Sequence, residues 1–453
     1  MEAWRRSFDE GGGGAGIFMT RKMKDSGVEW IGEIPEEWNI RKLNGLLQSI
    51  GSGTTPKSNP NYYDGEYAWL NTGDLTDDLI QNVNKTVTKL AIQDHSALRI
   101  YDAPSVVIAL YGATIGKLGI TTYPLTVNQA CCVMTTMPDL NYKYLFYALL
   151  SIRKYLLTLS YGAGQPNISG ETIKSLRISH PPLLTQNRIA SFLDTKSSLI
   201  DAAVQKEREV IDKLKEYRQA VITEAVTKGI RPGVPMKESG VEWIGEIPKH
   251  WIISRFSFET WVRARLGWKG LKADEYVDAG YIFLSTPNLK EEKIDFENVN
   301  YINQFRYDES PEIKLTVGDV LLAKDGSTLG TVNVVRNLPN EATVNGSIAV
   351  ITPKNNVNSV YLMYLIKSSY IQNIIRCLKD GSGVPHLFQR DINKIYITRP
   401  PLPEQQEIAD YLEAKCSEID ATIQKRELAI EKLTAYKQSL IYECVTGKKE
   451  VLG

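Results

Sequence analysis

Two long stretches of the chain repeat apolar residues at alternating steps of three and four. Ile189, Leu193, Ile200, Ala203, Val210, Leu214, Tyr217 and Val221 form the first stripe. Ile408, Leu412, Ile419, Thr422, Ala429, Leu433, Tyr436 and Leu440 form the second. This spacing predicts a helix-pair seam sustained over about five heptads, with Ile189, Leu193, Ile200 and Leu214 facing Ile408, Leu412, Ile419 and Leu433. Charged residues interrupt both stripes at matching places, Lys196 with Lys415 and Glu207 with Arg426. Roughly forty residues at 1.5 Å each give a rod of about 60 Å, too long for one small domain to cover. Two amphipathic helices packed on separate domains are the plainer alternative. Each stripe follows a Pro-Pro pair, Pro181–Pro182 and Pro400–Pro401. The residue before proline is driven out of the α region, so both pairs read as extended lead-ins to helix.

The recurrence of the stripes is part of a larger duplication. "KDSGVEWIGEIPEEW" (Lys24–Trp38) returns as "KESGVEWIGEIPKHW" (Lys237–Trp251), with twelve of fifteen positions identical. "PPLLTQNRIASFLDTKSSLID" (Pro181–Asp201) returns as "PPLPEQQEIADYLEAKCSEID" (Pro400–Asp420). Between these anchors the match is weak: "VVIALYGATIG" (Val106–Gly116) against "VLLAKDGSTLG" (Val320–Gly330), and "GAGQPN" (Gly162–Asn167) against "GSGVPH" (Gly381–His386). A period above two hundred residues is a tandem domain rather than a solenoid. The expected fold class is α/β, with mixed α+β domains, two long helices forming an antiparallel coiled coil, and a pseudo-two-fold tandem repeat. The expected boundaries are a flexible extension over 1–22, a globular domain over 23–180, a helical spacer over 181–232, a second globular domain over 233–399, and a C-terminal helical spacer over 400–453. Connectivity makes the helix pair antiparallel with one domain at each end, and Glu207 and Arg426 then occupy equivalent positions near its middle, where a contact across the axis competes with the plainer reading of two solvated, snorkelling side chains.

Composition narrows the partners. At 453 residues the chain has room for two to four domains. Lys plus Arg equals Asp plus Glu, 53 each, so no global basic field draws the chain onto nucleic acid or an anionic membrane. A polyanion-binding role therefore requires local segregation of charge. The five cysteines (Cys131, Cys132, Cys377, Cys416, Cys444) form no C-x-x-C pair, and their irregular spacing fits a reducing, cytoplasmic setting. The most apolar run is cut by Gly112, Thr114 and Lys117 within a bilayer's length, so no spanning helix is expected.

"GSGTTPKS" (Gly51–Ser58) nearly spells a phosphate-binding loop, with Pro56 in place of the second glycine. Proline has no N–H to aim at a phosphate, and "NPNYYDG" follows where a helix should start. The stretch reads as an exposed polar turn. Other catalytic signals are equally thin. "HPPL" and "RPPL" lack the polar first residue and aromatic last residue of an amino-methyltransferase motif. Asp274, Glu291 and Lys293 form only a loose nuclease-like triplet, and His95, His180, His250 and His386 are too scattered for a metal site or triad. No metal and no catalytic residue is expected.

The conjunction of the duplicated "SGVEWIGEIP", the "GSGTTP" loop with "WLNTGDL" after it, the G-x-G-x-P loops, and the "PPL…Q…I…L" lead-ins closely resembles the DNA-specificity subunits of type I restriction-modification systems. The resemblance covers residues 23 to 447. It implies two target recognition domains, each reading one half of a bipartite sequence in double-stranded DNA, and helices that set the gap. It further implies docking of two methyltransferase subunits and association with restriction/translocase subunits. This chain would bind no cofactor itself, with S-adenosylmethionine and ATP/Mg on the partner subunits. A coiled-coil interaction scaffold without a nucleic-acid role, and an enzyme with its catalytic domain fused, are the competing classes.

Reading DNA requires loops that reach base edges and donors that hold phosphates. In the first domain the opening loop offers Lys57, Ser58, Asn59, Tyr62 and Tyr63. In the second, "WVRARLGWKGLK" is the most basic run and supplies Arg263, Arg265, Trp268, Lys269 and Lys272, the arginines being suited to guanine. The paired glycine turns contribute Tyr111 in one copy against Lys324 and Asp325 in the other. The G-x-G-x-P loops contribute Gln165 and Asn167 against His386, Gln389 and Arg390.

Overall fold

The computed structural model describes residues 21–160, 167–265, 271, 273–378 and 386–452. The chain divides into two compact units, 1–206 with 429–453, and 207–428. Each unit thus holds one globular domain and parts of both long helices.

In the first unit a five-stranded sheet has the order Leu47–Ser52, Cys131–Thr136, Val106–Ala109, Leu118–Thr121, Asp78–Ile80. A three-stranded sheet carries Tyr63–Leu70 between Thr126–Val127, parallel to it, and Thr86–Val87. Val106–Ala109 shows no polar alternation because both of its faces are covered. Val106 and Ile108 join the core beneath helix Tyr142–Ser151, and Val107 and Ala109 face the second sheet with Leu70, Leu75 and Val127.

The second unit repeats the plan. Its four-stranded sheet has the order Thr260–Arg263, Ile348–Pro353, Val320–Ala323, Val332–Val334. Its three-stranded sheet carries Tyr281–Leu284 between Asn300–Ile302 and the parallel Ala342–Val344. Val320 and Leu322 face one core and Leu321 the other.

The long helices run from Leu183 to Lys228 and from Leu402 to Val445, 46 and 44 residues. Both begin at a buried glutamine that satisfies the proline-rich lead-in. Gln186 donates to the carbonyls of Asp139 (3.0 Å) and Pro181 (2.9 Å) and accepts from the Asn141 amide (2.8 Å). Gln405 does the same with Asn356 (3.0 Å), Pro400 (2.9 Å) and Asn358 (2.9 Å). A buried amide with all three bonds made costs little, whereas an unpaired one is expensive.

Both helices end in matching clasps. In the first unit Tyr144 and Ser179 donate their hydroxyls to the Val445 carbonyl, the tyrosine at 3.0 Å. In the second, Tyr361 (3.3 Å) and Thr398 (2.7 Å) hold the Val226 carbonyl. These are carbonyls that a helix end leaves without an intrahelical partner. Gly447 then turns the chain at φ +74°, and an added Cβ would lie 2.5 Å from Pro35 and 3.1 Å from the Trp38 ring. The repeated "SGVEWIGEIPxxW" is thus a seat for a helix terminus: Pro35 and Trp38 sit against Gly447, and Trp251 sits against Gly229.

Within each unit the helices run antiparallel. Lys437 lies 2.6 Å from Asp201 in the first unit. Arg218 faces Asp420 at 3.3 Å, and Arg426 faces Glu207 at 3.1 Å, in the second. Ile189, Leu193, Ile200, Ile408, Leu412 and Ile419 are buried, and Leu214 and Leu433 are half-buried. The stripe expected through Ala203, Val210 and Tyr217 is one residue off. Val204 and Ile211 take the inner positions, and Tyr217 is 49% exposed. Beside Tyr217, Arg218 turns inward to meet Asp420, so charge enters the seam at this point. Among the described residues no helix is long and apolar enough to cross a membrane.

Candidate nucleic-acid interface

Each domain brings two distant loops together in the same way. In the first, the strand Val106–Ala109 leads through Leu110 and Tyr111 into a 3-10 turn, Gly112–Thr114. Tyr111 forms an antiparallel bridge with Asn167, and the buried Ile168 donates its amide to the Leu110 carbonyl at 2.8 Å. In the second, Val320–Ala323 leads through Lys324 and Asp325 into Gly326–Thr328. Asp325 bridges His386, and the buried Leu387 donates to the Lys324 carbonyl at 2.9 Å. The floor of each turn is braced from a helix: Arg153 Nε donates to the Gly116 carbonyl (2.8 Å), and Gln372 Nε2 to that of Gly330 (3.0 Å). The backbone is shared while the chemistry at the junction differs, Tyr111 with Asn167 against Asp325 with His386. Gln165 lies outside the described residues.

The opening loop of the first domain is built by its aromatics. Gly53 passes so close to the neighbouring strand that a Cβ there would lie 1.7 Å from the Val127 carbonyl oxygen. Trp69 donates its indole N–H to the Thr54 carbonyl (3.2 Å), and Tyr63 its hydroxyl to that of Pro56 (2.9 Å). Asn59 accepts from the Asn61 amide (3.1 Å), and Tyr62 donates to Asp94 (2.8 Å). Tyr62 and Tyr63 therefore hold the loop, and Lys57 and Ser58 are among its exposed residues. The loop continues into the 3-10 turn Pro60–Tyr62 and strand Tyr63–Leu70, not into a helix, so it lacks the geometry that cradles phosphates.

The arginines expected to read guanine in the second domain are already engaged. Arg263 donates to both carboxylate oxygens of Asp319 at 2.9 Å, to Thr352 at 2.7 Å, and to the carbonyls of Glu312 and Lys314 at 3.1 Å. Asp319 is fully enclosed, and a buried carboxylate keeps its cation. Arg265 is only 9% exposed and faces Glu309 at 3.7 Å. Arg263 and Arg265 are thus engaged within the domain and are not the free surface cations that the basic run suggested. Local basic density in a sequence does not by itself give surface charge. Trp268, Lys269 and Lys272 lie outside the described residues. Gln389 is committed to the Val262 carbonyl. Arg390 is 71% exposed, with its guanidinium 4.7 Å from the Phe388 ring.

A further pair of framework residues was legible but missed. Thr126-Val127-Asn128 and Thr343-Val344-Asn345 are the same tripeptide. Their asparagine amides donate to Leu70 (3.0 Å) and Leu284 (2.8 Å), closing each parallel strand pair. Among the described residues no group of three or more His, Cys, Asp or Glu could hold a metal ion.

The profile of the type I restriction modification DNA specificity domain matches residues 35–213 and 269–432. The chain belongs to this family. Among curated specificity subunits it is similar to that of the MjaVIII enzyme of Methanocaldococcus jannaschii, 23% identical over 92% of this chain and 94% of the relative. It is similar also to that of EcoKI from Escherichia coli K12, 24% identical over 92% and 90%. A chain of a solved type I R-M system superposes with a TM-score of 0.71 at 15% identity, covering 92% of this chain and 99% of that one. The HsdS subunit of Thermoanaerobacter tengcongensis gives 0.51 at 16% identity, covering 92% and 98%. A specificity subunit is the DNA-recognition component of such a system and not its catalyst. The family domain thus occurs twice in this chain, on a shared framework whose loop junctions differ.

Proposed function

We propose that each globular domain of this specificity subunit reads one half of a bipartite double-stranded DNA target, through the paired loop junctions and, in the first domain, the loop bearing Lys57 and Ser58. The long helices set the gap between the half-sites and dock two methyltransferase subunits, to which restriction/translocase subunits add. S-adenosylmethionine and ATP/Mg belong to those partners. The observation that carries this reading is the repeated junction, one backbone arrangement presenting Tyr111 and Asn167 in one copy and Asp325 and His386 in the other. Two readers of different half-sites require the same scaffold with different donors and acceptors at its tips.

Mapping methylated adenines in the host genome with and without the gene tests this directly. The expected result is loss of one two-part motif. A second arm inserts four residues after Glu207 and four after Arg426, a change that nearly preserves the seam phase. The gap in the motif is expected to lengthen by about one or two base pairs, as the rise per helical residue implies. An unchanged gap excludes the helices as the spacer.

A further inference from the structure

We propose that His386, oriented by Asp325, is a specificity-determining residue of the second domain, its Nε2 accepting a hydrogen bond from the exocyclic amino group of an adenine or cytosine in the major groove. This deepens the reading of the domain as a DNA reader and rests on it.

The ring is held from several sides. Its backbone bridges Asp325, and the next residue, Leu387, is fully buried and tied to the Lys324 carbonyl. His386 Nδ1 bonds the Asp325 carboxylate. Phe388 meets the imidazole edge-on, with centroids 4.4 Å apart. Lys324 fixes the carboxylate in turn, its ammonium 3.8 Å from Asp325 Oδ2 and its side chain only 12% exposed. Lys324 is therefore part of the support and not a solvent-facing phosphate contact.

The chemistry of the exposed part follows from this support. A carboxylate only accepts, so Nδ1 carries the proton. In the neutral ring the lone pair then lies on Nε2, which acts as an acceptor. Among the described residues Nε2 has no partner, and 34% of the side chain is exposed. A core histidine would be enclosed. A fixed, partly exposed acceptor suits the donors that adenine N6 and cytosine N4 present in the major groove. The first domain places Asn167 at the same backbone position with Tyr111 opposite, a different donor and acceptor set for a different half-site.

The test uses the full chain assembled with its methyltransferase subunit in cells, with the methylated motif read by sequencing. His386→Ala and His386→Asn are compared, the second because asparagine already occupies the equivalent bridge at position 167. In both, discrimination at one adenine- or cytosine-restricted position of one half-site is expected to fall by roughly fivefold or more, with the other half-site unchanged. Asp325→Asn is expected to reproduce the relaxation and Asp325→Glu to restore selectivity, which distinguishes a positioning carboxylate from a merely structural one. A motif identical to wild type in both His386 variants, or a uniform loss of methylation with the motif intact, overturns the proposal. Absence of any two-part motif with the wild-type chain overturns the underlying reading instead.

Discussion

Arg426 donates to both carboxylate oxygens of Glu207, at 3.1 and 3.2 Å, and the two residues occupy equivalent positions of the repeated helices. The same repeat relates Asp201 to Asp420 and Arg218 to Lys437, so each flanking ion pair is the counterpart of the other. Arg426 is 45% exposed and Glu207 20%, so the pair contributes about 0.2–1 kcal/mol. Glu207→Arg and Arg426→Glu should each lose that amount and gain a like-charge contact, while the double exchange recovers most of it. Chemical denaturation of the four proteins checks this. Neutral single variants would show that the contact contributes nothing.

The helix clasps should matter more. Replacing Tyr361 by Phe together with Thr398 by Val leaves the Val226 carbonyl buried without its two side-chain donors. The expected cost is about 1–3 kcal/mol. Tyr144→Phe alone should cost less, because Ser179 still donates to Val445. Hydrogen exchange at the end of each helix separates local fraying from global loss. Burial pushes both phenols well above the ordinary tyrosine value, so neither clasp should loosen in mild alkali.

Arg263→Ala should destabilise the second domain rather than relax its selectivity. Asp319 would keep Thr316 and Thr352 but lose its cation in an enclosed site. The expected loss is about 3 kcal/mol, the lower end for a broken buried pair because Arg263 itself is 26% exposed. Thermal unfolding measures it. A stable variant with an altered methylation motif would restore Arg263 as a reader.

Why the sequence misplaced this residue while placing others well is a matter of scale. The helices were legible because a 3.6-residue period over about forty positions averages out local exceptions. Their antiparallel course followed from connectivity. The seam slipped by one residue where Arg218 and Asp420 put charge on the inner face, which no apolar pattern can report. Arg263 looked like a surface cation because its partner, Asp319, is more than fifty positions away and is brought near only by the sheet. The pairing of Asp325 with His386 was hidden for the same reason, although both residues had been singled out separately. The clasps were invisible because Tyr144 and Val445 are about three hundred residues apart.

Lys57 separates phosphate contact from base contact in the first domain. It is exposed at a loop whose shape is fixed by Trp69 and Tyr63. Lys57→Ala should weaken binding to all duplexes alike and reduce the slope of log affinity against log salt by about one. Titrations at several salt concentrations on cognate and scrambled DNA give both quantities. A change confined to the cognate duplex would make Lys57 a base reader.

Lys367 supplies a pH dependence with a definite sign. It ends helix Ser359–Lys367 in the region of Arg218, Asp420 and Glu291, and its ammonium donates to the Glu291 carbonyl at 2.8 Å. Burial first, then the nearby Arg218 charge, lower its pKa from 10.5 to about 8. In the unfolded chain the lysine keeps its ordinary affinity for the proton. Between pH 8 and 10.5 the unfolded state therefore binds more protons than the folded one, and stability contributed by this group rises with pH across that window. Below pH 8 both states are protonated and the burdened ammonium destabilises the fold to its full extent. Lys367→Met removes the group, so the stability difference between wild type and variant should shift in favour of wild type as pH rises from 7.5 to 10. Denaturation midpoints at four pH values across that range measure the shift. Parallel profiles would mean that Lys367 titrates normally, and that water reaches its ammonium beside Arg218.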